Sequence, residues 1–108
     1  MKVTDTVLES ISEHWGFSRE QLIGGCRIRE LVTARHIAMY VLRQAGLSYP
    51  AIAREIGGRD HTTVMHGVAK IERWMAKASP SNPMRLIIID LVDLAMDTLE
   101  PVKTQAAV

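Results

Sequence analysis

Residues 57–67 read GGRDHTTVMHG: two glycines, an arginine, an aspartate, two histidines and two threonines, set between one apolar repeat and the next. At about 100° per residue, a helix starting near Asp60 gathers Val64, Val68, Ile71 and Met75 within about 60° of arc, while Thr62, His66, Lys70 and Arg73 fall on the opposite side within about 80°. Such a helix has one apolar stripe to bury and a separate outward row of polar and basic groups. Upstream, Ser48 can cap a short helix with Pro50 in its first turn, and Ala51, Ile52 and Ile56 give that helix its apolar stripe before Gly57 and Gly58. A short helix, a Gly-Gly turn and a second helix with a polar outer face form the pattern of a helix-turn-helix, whose second helix lies in the DNA major groove.

The rest of the chain predicts helices as well. Thr4 or Asp5 can cap a first helix in which Val7, Leu8, Ile11 and Trp15 recur at helical spacing and Gly16 supplies the stop. A short helix follows from Ser18 to Leu22, ended by Gly24 and Gly25. The stretch CRIRELVTARHIAMYVLRQAG, residues 26–46, sets Ile28, Leu31, Val32, Arg35, Ile37, Ala38, Val41 and Leu42 along one side of a long helix closed by Gly46. The helix from Asp60 runs to about residue 78, and Ser79 to Pro83 form a linker. A last helix spans 84–100, Pro101 stops it, and the final seven residues form a frayed tail. The fold class is all-α: a helix-turn-helix bundle over residues 1–78, with residues 79–108 adding a Pro/Ser linker, an amphipathic C-terminal helix and a short tail.

Composition agrees. A chain of 108 residues suits one domain with one core, and with 47% hydrophobic but only 5% aromatic residues that core is aliphatic. The single cysteine, Cys26, excludes an internal disulfide and is expected to be a small buried or partly buried apolar residue. No apolar run of signal-peptide type opens the chain, and Asp90 and Asp93 break the most apolar segment, LIIIDLVDLAM, so a soluble cytoplasmic protein is expected. The net charge of +1 conceals a segregation: residues 27–77 carry nine Lys or Arg against four acids, while residues 1–26 stand at −2 and 84–100 at −3. That asymmetry points to an anionic partner for the middle of the chain.

The first-turn residues of a recognition helix reach base edges, and here they are Asp60, His61, Thr62 and Thr63. A Thr methyl can touch the thymine C5-methyl, Asp can accept from cytosine N4, and His can donate or accept. Asp60 would be repelled by phosphate, so it makes sense either taking a base amine or capping the helix.

IRELVTARHIAMYVLRQ (28–44) together with IGGRDHTTVMHGVAKIE (56–72) resembles the C-terminal DNA-binding domain family of the bacterial replication initiator DnaA. That signature joins an R-x-IAMY-like stretch to a GGRDHTTV-H-A-x-KI stretch, and the likeness covers roughly residues 5–78. The resemblance implies a Trp-repressor-like fold and binding of double-stranded DNA at DnaA boxes of the TTATCCACA type. It implies base contacts from Asp60, His61, Thr62 and Thr63 in the major groove, from His66 one turn on, and from Arg27 in the adjacent minor groove, where a narrow A·T stretch attracts it. Arg59, Arg35 and Arg43, with Arg29, Lys70 and Arg73, are expected at the DNA backbone. Ala34 stands where many relatives of this family carry proline.

Other chemistries fit poorly. His61 and His66 are five residues apart, about 140° on the wheel, whereas helical metal pairs use i and i+4, so no metal is expected. The polar residues project from one convex helix and form no enclosed acid-base or nucleophilic network, so no enzyme activity is expected. No G-x-x-x-x-G-K-[ST] stretch occurs, and neither a cofactor nor nucleotide binding or hydrolysis is expected. The expected role is a regulator of replication initiation or transcription in the cytoplasm, associated with the nucleoid. Met1 opening a plausible first helix favours a stand-alone protein over a piece of an initiator.

MRLIIIDLVDLAMDTLE (84–100) sets Asp90, Asp93, Asp97 and Glu100 in one acidic stripe and covers nearly everything else with apolar residues. A helix packed fully into the core and a helix with a surplus face both accommodate this pattern; the second makes residues 84–100 a surface for a homodimer or a recruited protein partner.

Overall fold

A computed structural model of the chain describes the backbone of residues 2–107 and the side chains of residues 2–98. Among the described residues all regular structure is helical: α1 Val3–Trp15, α2 Arg19–Ile23, α3 Arg29–Gln44, α4 Tyr49–Glu55, α5 His61–Lys77 and α6 Pro83–Ala107. Three helices start on side-chain caps, of which Ser48 and Asp60 are legible as caps in the sequence. Ser18 and Gln21 form a reciprocal capping box on α2. The Ser48 hydroxyl accepts from Ala51 N at 3.2 Å, with Pro50 in the first turn of α4. The Asp60 carboxylate accepts from Thr62 N at 2.9 Å on α5. Helix α1 differs. It begins at Val3 with no side-chain cap, because Thr4 and Asp5 bond to other elements: Thr4 is buried and donates to Glu55 Oε1 on α4 at 3.4 Å, and Asp5 pairs with Arg19 at 2.5 Å.

The core follows from α3. Leu31, Ala34, Ile37, Ala38, Met39, Val41 and Leu42 are all buried, an arc wider than a one-sided amphipathic helix would offer, so α3 is surrounded. It packs against α1, α2, α4, α5 and α6. Ile28, expected on its buried side, lies just before the helix and is 53% exposed. The stripe of α5 is buried as the wheel requires: Val64, Val68 and Ile71 join the core and Met75 packs against it.

Helix α6 lies on α1 and α3, and its Ile88, Leu91 and Ala95 belong to the same core cluster as Val7, Leu8 and Ile37. The 79–82 stretch is a turn, with Asn82 N bonded to Ser79 O at 2.9 Å. Asn82 then caps α6 through Met84 N, and Arg85 reaches back to Met75 O on α5 at 2.6 Å. The expected stop at Pro101 is corrected: α6 runs on to Ala107, so the segment read as a tail is helical. Proline deletes one i→i−4 bond, and the helix here continues across that gap. The expected places of Leu99 and Glu100 on the two faces of α6 lie outside the described side chains.

Candidate nucleic-acid interface

The turn between α4 and α5 is fixed by glycine geometry and by one arginine. Gly57 adopts φ +80°, and a Cβ there would stand 2.1 Å from the Ile23 carbonyl oxygen, so the turn can pass beneath the end of α2 only as glycine. The Arg59 backbone N–H bonds to Ala53 O at 3.0 Å. Its guanidinium donates to Ile56 O at 3.1 Å, to Ile23 O at 3.3 Å and to Gly24 O. Arg35 does the same from α3, donating to Leu22 O at 2.7 Å, Gln21 O at 3.0 Å and Cys26 O at 3.1 Å. The reason is local. Helix α2 ends at Ile23 after five residues, the Gly24 amide reaches only Gln21 O among its last carbonyls, and a five-donor guanidinium is the side chain that can satisfy several at once.

This corrects the expectation for Arg35. It is 5% exposed and its fork is engaged by protein carbonyls, so in the described structure it stands inside the fold and not at a phosphate. Burial, then the nearby Arg59 charge, pulls its guanidinium below the usual range. Arg59 is half-buried and likewise occupied, its guanidinium lowered by burial. Arg43 is exposed at the α3–α4 corner, where it donates to Leu47 O at 3.0 Å and lies 4.3 Å over the Tyr49 ring. The two clamping arginines hold the 24–28 loop in place, and that loop presents Arg27 to solvent. Cys26, expected to be buried or partly buried, is exposed in it, and its carbonyl accepts from Arg35.

Asp60, His61, Thr62, Thr63 and His66 are all exposed, along the outer side of α5. Asp60 and His61 lie 3.4 Å apart, Oδ1 to Nδ1. The Thr62 backbone N–H bonded to Asp60 holds that carboxyl below the usual range, so it is ionised at neutral pH. The capping function is therefore established for Asp60, and its second oxygen remains able to accept from a base. Arg27, Arg59, Asp60 and Thr63 border one open cleft of about 470 Å³, which brings the loop arginine and the start of α5 together. On the flank, His66, Lys70 and Arg73 share a groove with His36 of α3. None of Arg27, Arg29, Lys70 and Arg73 pairs with a carboxylate among the described residues, so the face carries uncompensated positive charge. His36, expected as a surface or half-buried residue that grazes phosphate, is half-buried and borders both the cleft and the groove. Burial first, then the charges of Lys70, Arg35 and Arg59, lowers its pKa, so it is neutral at neutral pH. Among the described residues no group of three or more His, Cys, Asp or Glu is placed to hold a metal ion.

A short helix, a glycine turn and a longer helix presenting an exposed polar and basic row define a helix-turn-helix DNA-binding domain. The chain belongs to the bacterial DnaA helix-turn-helix family: the family's sequence model, described as the bacterial dnaA protein helix-turn-helix, matches residues 4–71. It is similar to the chromosomal replication initiator protein DnaA of Thermomicrobium roseum, 49% identical over 72 residues, covering 66% of this chain and 16% of the relative. The DnaA of Cereibacter sphaeroides is 44% identical over 80 residues, 72% of this chain and 18% of its own length. That of Picosynechococcus is 47% identical over 74 residues, 68% and 16%. This chain thus spans less than a fifth of these relatives.

Proposed function

We propose that this chain binds double-stranded DNA sequence-specifically at DnaA-box-like sites of the TTATCCACA type and regulates replication initiation or transcription without nucleotide hydrolysis of its own. The observation that carries this reading is the exposed row Asp60, His61, Thr62, Thr63 and His66 on a helix whose other face is anchored by Val64, Val68 and Ile71. Base contacts come from that row, with Arg27 in the minor groove, and Arg29, Lys70 and Arg73 supply phosphate contacts. The 108 residues contain no phosphate-cradling loop, and no described helix is long and apolar enough to cross a membrane; the proposed location is the nucleoid. Fluorescence anisotropy with box and scrambled duplexes tests it. His61→Ala or Thr62→Ala should cost roughly 1–3 kcal/mol on the box and relax the preference, while Lys70→Ala should weaken both duplexes and lower the salt slope by about one. Equal wild-type affinity for the two duplexes would sink the reading.

A second reading concerns α6. Leu86, Ile89, Leu94 and Met96 remain 37–47% exposed beside Asp90, Asp93 and Asp97, which favours self-association or recruitment of a protein through this helix.

A further inference from the structure

Helix α5 leaves two large apolar side chains exposed, Met65 and Trp74. Trp74 borders an apolar cleft with Ile37, Ile71, Met84 and Ile88, where α3, α5 and α6 meet. Met65 is placed differently: it is 42% exposed, four residues after His61 and next to His66. On the wheel it lies about 40° from His61 and about 60° from Thr62, within the outward half of the helix. Side chains on a helix lean toward its N-terminus, so Met65 covers the surface beside the first turn, where the hydrogen-bonding row begins.

The major groove offers donors and acceptors from every base pair but only one apolar group from the unmodified bases, the thymine C5-methyl. A thioether is a weak acceptor and donates nothing, so methionine in that groove gains little from the polar edges of G, C or A. Its flexible, unbranched chain can follow a methyl group whose position it does not dictate. We propose that Met65 is a specificity-determining residue that selects thymine by packing against its C5-methyl group, beside the bases read by His61 and Thr62. This rests on the DNA-box reading above and adds to it an apolar contact on the recognition helix.

Deoxyuridine in place of single thymines removes the methyl and nothing else. For wild-type protein one such replacement should weaken binding about fourfold, the worth of burying one methyl group. Met65→Gln keeps the length and removes the apolar character; it should bind the thymine and uracil duplexes equally, with an unchanged thermal melt because the side chain is exposed. The proposal is overturned if no thymine in the bound duplex is uracil-sensitive, or if Met65→Gln keeps the same sensitivity, which would assign the methyl contact to the threonines. Failure of the box reading looks different: wild type then shows no preference between box and scrambled DNA, and both inferences fall together.

Discussion

Arginine has two distinct roles in this chain, and the sequence pattern does not separate them. Arg27, Arg29 and Arg73 are exposed and free of carboxylates among the described residues, whereas Arg35 and Arg59 close the open end of α2 from two directions. Both sets sit in a basic stretch, and which guanidinium faces water depends on the path of residues 21–28, which periodicity does not encode. The consequence is testable. Arg35→Ala removes the donor to Leu22 O and to Cys26 O, and one of the two to Gln21 O, and should cost roughly 3 kcal/mol of folding stability, visible as a lower thermal midpoint, while the salt slope of DNA binding changes little. A variant that melts like wild type but loses about one unit of salt slope would return Arg35 to the phosphates. His36 carries a second expectation. Its folded pKa lies below the ordinary value of 6.5 through burial and through Lys70, Arg35 and Arg59, so its contribution to stability is present above that value and is lost as pH falls through the folded pKa. Melts recorded from about pH 7.5 to about pH 5 should fall more steeply for wild type than for His36→Gln; parallel curves would remove His36 from the acid response.

At the level of elements, legibility tracked whether the deciding atoms were local. Ser18, Ser48 and Asp60 cap their own helices within three residues, and each start was readable. The stripe and outer row of α5 were readable because both are set by a single period. Thr4 and Asp5 look like caps but bond to Glu55 and Arg19, partners 51 and 14 residues away in sequence. The α3–α5 contact was equally hidden. It depends on Gly67, where a Cβ would stand 2.7 Å from His36 Cδ2 and 2.9 Å from Met39 Sδ. Gly67→Ala gains about 1 kcal/mol of helix propensity, but overpacking a filled contact costs about 1–3 kcal/mol, and Met39 is fully buried with little room to yield. Net destabilisation is expected in denaturant titration, with recovery when His36→Ala is added. A Gly67→Ala protein at least as stable as wild type would show that α5 does not need this close approach.

Across the whole molecule, the question left by the sequence is what α6 is for. Its pattern permitted either a fully packed helix or a docking arm, and the structure shows the two faces separated: Ile88, Leu91 and Ala95 complete a core begun by α1 and α3, although the family match ends at residue 71. Leu86, Ile89 and Met96 face outward beside the acidic residues. These faces predict different outcomes. Leu91→Ala removes a side chain 3% exposed and should lower stability by about 2–5 kcal/mol, whether or not the protein self-associates. Leu86→Glu, on a residue 47% exposed, should leave the thermal midpoint of the isolated domain nearly unchanged and abolish any dimer seen by sedimentation at roughly tens of micromolar. If wild type sediments only as monomer there, the outer face does not join two copies. If Leu91→Ala melts like wild type, α6 is not part of the folding unit at all, and residues 1–78 should then fold and bind DNA without it.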